Sequence, residues 1–276
     1  MKQKCDYIKI CAYLILTIGA ISMVLPFIWL LVISLNDTHF MSFGISTLKN
    51  TSFSVENFKK VFDLIKIEQY FLNSLIVATF TTVGQVLFAS MSGYAFARLR
   101  FNGKNAIFFL ILITMMVPIQ VNIVPLFFIM REFGWCNTYA ALIIPGFFGG
   151  FGIFLMRQWF LGLPKELEDA AKIDGCNLVE TFFKIVLPSS IPAIMTLAIF
   201  TFIGSWNSFM WPLIITNTQN MRTLSVGLNE FKSSFVELTD WGALCACCVI
   251  SCLPAILVFL AGKKYLLNNL LSGSSK

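Results

Sequence analysis

The side chains with which this sequence could do chemistry are few and unevenly placed. Its one dense group of carboxylates is Glu166, Glu168, Asp169 and Asp174, inside a charged stretch spanning 163–188. Acid–base or metal chemistry needs such acids to converge on each other or on a histidine. Here Glu166, Glu168 and Asp169 follow Pro164 through the first turns of a predicted helix, where negative charge complements the unpaired N–H groups of a helix start. Cys245, Cys248 and Cys252 fall at i, i+3 and i+7 of an apolar run with no His or carboxylate beside them, so small-residue packing is expected there rather than a metal site. The single histidine, His39, lies in a polar segment, which excludes a haem ligand or His proton relay within the apolar runs. No GxxxxGK[ST] run occurs, so no P-loop nucleotide site is expected. Amides and aromatics set in apolar surroundings remain: Gln120 and Asn122, and Trp206 and Asn207 near the middle of the long apolar run 185–221. They suit a ligand with hydroxyls and apolar ring faces, and equally suit hydrogen bonding between helices.

The elements that hold these residues follow from composition. Of 276 residues, 57% are hydrophobic and only 12% charged, and the mean hydropathy is +0.80. Soluble chains carry about twice that share of charge, so an all-α integral membrane protein is expected. Six charge-free windows are long enough to cross a bilayer: 10–35, 70–97, 105–130, 133–156, 185–221 and 241–262. The fifth is too long for one helix, so its end from about residue 217 is assigned to a loop. The apolar run after the short basic head, residues 1–9, exceeds a signal-peptide core and lacks a small-residue cleavage site, which predicts a retained first span. With the N-terminus inside, thirteen of the twenty Lys and Arg residues fall on inner segments and seven on outer ones. That bias predicts N-in, C-in topology, places 157–188 and the tail 263–276 in the cytoplasm, and accounts for the +6 net charge without nucleic acid. The eight cysteines show no disulfide spacing.

Within this frame, 54–62 predicts a short amphipathic helix at the outer surface with Phe58, Val61 and Phe62 on one side, and residues 50–52 and Asn73-Ser74 predict turns of the outer segment. Pro118 and Pro125 bracket Gln120 and Asn122; they either bend the third span beside a pathway or only shape its packing. Gly146, Gly149, Gly150 and Gly152 predict close helix contact in the fourth span. In the charged stretch, Leu167, Ala170, Ala171 and Asp174 fall at i, i+3, i+4 and i+7, a face two of whose residues are methyl groups. Gly175 is the expected stop, and Asn177 with Glu180 predicts a capping box opening a second helix that ends before Pro188. A rigid two-part helical element between spans would pass a push from a soluble partner to the spans themselves.

Asp169-Ala170-Ala171, then Gly175, then 185–188 (Ile-Val-Leu-Pro) resembles the EAA motif of ABC importer permeases. The longer run 164–175 is similar to the carbohydrate branch, the maltose-type second permease, as are 53–58, 73–75, 93–98, Trp206-Asn207 and Pro212-Leu213. Asp169 stands where the motif has Glu, and the tail ends in 270–276 rather than a Gly-Ala-Val-Lys-Gly-like run. The resemblance implies a type I ABC importer transmembrane domain over residues 10–262, in a bacterial cytoplasmic membrane, with cytoplasmic EAA coupling helices. It implies that Glu166, Glu168, Asp169, Ala170, Ala171, Asp174, Gly175, Leu187 and Pro188 couple to an ATPase, and that Gln120, Asn122, Trp206 and Asn207 border the solute pathway. The partners it implies are a second permease subunit, two cytoplasmic ABC ATPase subunits holding ATP and Mg, and an extracytoplasmic solute-binding protein. No cofactor is expected on this chain, and no enzymatic activity. The alternative within this reading is a permease for another small solute, such as an amino acid, a polyamine or a glycerol phosphate. A secondary transporter is disfavoured because ion-coupled pathways bury ionisable groups, and the six windows hold none.

Overall fold

The computed structural model describes residues 2–36, 53–234 and 240–273. The turn expected at 50–52 and His39 lie outside them. Asn73 and Ser74, also expected in a turn, instead lie buried within the helix Ile67–Arg98. There the Asn73 amide donates to the carbonyls of Asn220 and Arg222 (2.8 Å each), and the Ser74 hydroxyl accepts from the Leu224 N–H. Among the described residues the chain is helical, with one isolated antiparallel bridge between Asn36 and Phe53. In order, the helices are α1 (Lys2–Ser34), α2 (Glu56–Leu64), α3 (Ile67–Arg98), α4 (Lys104–Thr114), α5 (Ile119–Glu132), α6 (Tyr139–Ile143) and α7 (Gly150–Gly162). Then come α8 (Glu166–Ile173), α9 (Leu178–Ser189), α10 (Ile191–Trp206), α11 (Met210–Ile215), α12 (Leu224–Ser234) and α13 (Trp241–Gly273).

The six apolar windows become four continuous candidate spans, Lys9–Ser34, Ile67–Arg98, Tyr139–Gly162 and Trp241–Tyr265, and two bent pairs. In the first pair, α4 and α5 meet at 102°. Pro118 explains the break: it has no N–H to donate, and it disfavours helical geometry at the residue before it. Met115, Met116 and Val117 accordingly close tighter turns onto Leu112, Ile113 and Thr114. Pro125 lies within α5 without ending it. The second pair, α9 and α10, bends by 76° around Ser190, with Pro192 in the first turn of α10. The fifth window therefore ends as a helix at Trp206, earlier than expected, and Asn207 is its C-cap rather than a mid-span residue.

The described residues divide into two compact units, one taking residues up to 68 and 227–253, the other 69–226 and 254 onward. In the first unit, α2 differs from its sequence reading. Its inward face is Asn57 and Val61, while Phe62 is 53% exposed. The reason is polar: the Asn57 amide donates to the carbonyls of Ser34 (3.1 Å) and Asn36 (2.8 Å), satisfying the backbone that leaves α1. Gly242 of α13 packs against the same amide with no room for a Cβ, and Lys60 pairs with Asp240, 3.3 Å away, just ahead of α13.

The second unit contains a core in which α3, α7, the second half of α9 and α10 meet through Ala89, Tyr94, Met156, Phe160, Val186 and Leu197. Small residues set how closely its helices approach. A Cβ on Gly93 would lie 2.7 Å from the Met156 Cβ and 2.9 Å from the Arg157 amide nitrogen, so α3 and α7 touch backbone to backbone there. The predicted glycines behave likewise: Gly146 faces Thr81, Gly149 faces Gln85, Gly150 faces Met115, and Gly152 faces Ala89.

Candidate functional site

The charged stretch folds as a hairpin of two short helices. Helix α8 carries Glu166, Glu168 and Asp169 in its first turn. It closes in a Schellman turn: the Gly175 N–H donates to Lys172 (3.1 Å) and the Cys176 N–H to Ala171 (2.9 Å). Gly175 has φ +83°, and a Cβ there would meet nothing within 4 Å, so glycine is required for its conformation and not for space. The capping box then opens α9, with Asn177 accepting from the Glu180 N–H (2.9 Å) and the Glu180 carboxylate accepting from the Asn177 N–H (3.0 Å). Lys184 donates to the same carboxylate at 3.0 Å.

The second helix does not stop before Pro188. It widens into a π turn over Phe182–Val186, and Leu187 and Pro188 continue it as a short helix. The wider turn accommodates the N–H that Pro188 lacks, because the Leu187 N–H reaches back to the Phe182 carbonyl. The hydroxyls of Ser189 and Ser190 donate to the carbonyls of Ile185 and Val186, each at 2.7 Å. Phe182 anchors the turn in the core, its ring 5.1 Å from that of Tyr94.

The face expected at Leu167, Ala170, Ala171 and Asp174 is split. Ala171 is 1% exposed and packs inward, whereas Ala170 and Asp174 are open and Leu167 is partly so. Sequence reasoning missed three open apolar side chains around Gly175: Ile173 (86% exposed), Val179 (62%) and Leu178 (51%). The available signal was Ile173 itself, apolar at the end of a charged helix and outside every membrane window.

Glu168 also has a different place from its neighbours. Its carboxylate lies 2.7 Å from Arg98 Nε at the end of α3, with the two side chains only 15% and 8% exposed. Tyr94 is close enough to feel the charge of the same carboxylate, and Arg98 Nη2 donates to the Leu163 carbonyl at 2.6 Å. The loop hairpin is thus pinned by a largely buried ion pair to the helix that also lines the cavity described next. Arg157 reinforces this end, donating to the Phe96 carbonyl at 3.2 Å and lying 4.1 Å over the Phe108 ring.

A cavity of about 540 Å³ opens within the second unit, away from the hairpin. Helix α3 contributes Val77, Thr81 and Gln85, spaced four apart on one face, and α5 contributes Asn122. Thr201 and Ser205 of α10, with Ser208 after it, complete the polar lining. The apolar walls include Phe148, Phe151, Phe200 and Trp211, whose indole N–H is committed to the Ala141 carbonyl at 2.9 Å. Of the four residues expected along a pathway, only Asn122 lines this cavity. Gln120 is exposed elsewhere on α5, and Asn207 is exposed at the end of α10. Trp206 is 2% exposed and packs against Phe71 and Phe202. The missed signal was the four-residue spacing of Thr81 and Gln85 inside an apolar span.

The structure is similar to a solved bacterial ABC transporter involved in the import of the acidic polysaccharide alginate, with a TM-score of 0.82, 23% identity, and coverage of 94% of this chain and 96% of that one. In sequence the chain is 35% identical over 269 residues to an arabinooligosaccharides transport system permease protein of Halalkalibacterium halodurans, covering 95% of this chain and 96% of that protein. It is 34% identical over 273 residues to a trehalose/maltose transport system permease protein of Thermococcus litoralis, with coverage of 95% and 96%. Residues 85–268, from Gln85 in the cavity through the whole hairpin and into α13, match the model of the binding-protein-dependent transport system inner membrane component family, and the chain belongs to that family.

Proposed function

We propose that this chain is one of two membrane subunits of an ATP-driven importer that takes a sugar or oligosaccharide from an extracytoplasmic solute-binding protein. It provides half of the translocation path and transmits the work of two cytoplasmic ATPase subunits, which hold ATP and Mg²⁺; it catalyses no reaction itself. The observation that carries this reading is the pinned hairpin at 163–188. It is short, closed by a Schellman turn and a capping box, tied to α3 through Arg98 and Glu168, and open on an outer surface formed by Ala170, Ile173, Leu178 and Val179. An apolar surface edged by Glu166, Asp169 and Asp174 suits a helix-in-groove contact with a partner. The carbohydrate assignment is supported by the names of the relatives.

Closure of the ATPase pair would move the hairpin as a body, and the ion pair would pass that movement to α3. Driving such a two-state change from about 1:99 to 99:1 takes about 5.5 kcal/mol of differential binding, so the lever must be stiffer than an ordinary loop. The bias of basic residues supports a cytoplasmic hairpin with both termini inside. The test is co-purification from membranes of cells expressing the whole importer. Ala170→Arg is expected to leave insertion of this subunit unchanged and to lose the ATPase subunits; an intact complex with full ATP-dependent uptake would overturn docking through this face.

A further inference from the structure

We infer that the cavity of the second unit is a saccharide subsite belonging to this chain, and that it takes uncharged sugar units. This inference rests on the reading of the chain as a carbohydrate importer subunit and narrows it. Among the described residues, no Asp, Glu, Lys, Arg or His lines the cavity. A phosphate, a uronate or an ammonium group entering it would leave water without a counter-charge, which is costly wherever a charge is buried. A neutral sugar needs only donors and acceptors for its hydroxyls and flat apolar surfaces for its C–H faces.

The cavity supplies both. Its volume of about 540 Å³ lies within the roughly 300–1,000 Å³ of small-molecule sites. Thr81 is 6% exposed, and its hydroxyl has no hydrogen-bond partner among the described residues. A buried hydroxyl left in that condition is unfavourable, but its oxygen is closed off from the cavity, so the amides of Gln85 and Asn122 are the groups that meet a sugar hydroxyl. Gln85 stands one turn along the same face, and its amide fills the space that a side chain at position 149 would take. Asn122 reaches the cavity from α5. Because Trp211 is fixed through its N–H to Ala141, its ring is a set surface rather than a mobile one.

The test uses the assembled importer in proteoliposomes with its solute-binding protein. Its probes are a panel of labelled neutral di- and trisaccharides, the matching uronate oligomers, and glycerol 3-phosphate. ATP-dependent uptake is expected only for neutral probes. Gln85→Leu and Asn122→Leu are each expected to lower that uptake about tenfold, the effect of losing roughly one hydrogen bond to a ligand. Complex yield should be unchanged, and Gln120→Leu, on α5 but outside the cavity, should retain both uptake and basal ATPase. Asn122 is exposed on the cavity wall, so its variant decides the matter if Gln85→Leu lowers the yield. Neutral uptake that survives both cavity substitutions would overturn the subsite while leaving the importer reading intact. Uptake of uronates or glycerol 3-phosphate would overturn the neutrality, and ATP-independent flux of any probe would overturn the importer reading itself.

Discussion

The hairpin at 163–188 and the cavity in the second unit use helix α3 in opposite ways. At its end, Arg98 takes part in a charged, largely buried contact with Glu168 that fixes one element to another. Further back, Thr81 and Gln85 face a space that, among the described residues, is lined by no charge, and the buried Thr81 hydroxyl has no partner there. One end is completed by its own chain and is therefore stiff; the other is incomplete and open to a ligand. A single helix joins them, so movement of the hairpin can change the cavity without a separate relay.

This contrast is broken most forcefully at the ion pair. Arg98→Ala leaves the Glu168 carboxylate without its partner, a change that costs about 3–5 kcal/mol where the pair is fully buried. Thermal unfolding of the purified complex should register the loss, and ATP-driven uptake should fall for every solute alike. Replacing Arg98 and Glu168 together by Leu should restore most of the stability, because an apolar pair of similar volume needs no partner charge.

A smaller effect is expected at Gly175, where the space around the residue is empty and only the left-handed backbone is demanding. Gly175→Val should cost about 1–2 kcal/mol, lowering uptake while leaving insertion intact. Gly175→Asn should keep most activity, and equal loss for both variants would show that the turn is needed for more than its conformation. The smallest effect on stability is expected at Gly149→Ala, which displaces the end of the flexible Gln85 side chain. Uptake assayed across sugars should then show altered preference with unchanged ATPase coupling, whereas a uniform loss would erase the distinction between the two regions.

The hairpin was legible because its signals are local. Asn177 and Glu180 are three residues apart, Gly175 closes the helix that precedes it, and Glu166 and Asp169 mark a helix start. The inward turn of Ala171 and the partnering of Glu168 were not legible, because Arg98 lies 70 positions away in the chain. The breaks at Pro118 and Ser190 show the same divide. A proline announces that a helix is interrupted, but the angles of 102° and 76° follow from what the two halves pack against. Trp206 and Asn207 read as polar features in the middle of a span, and the helix instead ends between them.

By itself the sequence determined the membrane class, the number of apolar windows, the two-part hairpin and the family resemblance, since each rests on composition or on residues within a turn or two. Only the tertiary structure decided which faces of those helices point inward, that Arg98 pins Glu168, and that a cavity forms among Thr81, Gln85, Asn122 and Ser208. Those cavity residues are distributed over three separate segments, α3, α5 and the turn after α10, and a helix period states that a face exists without stating what lies opposite it.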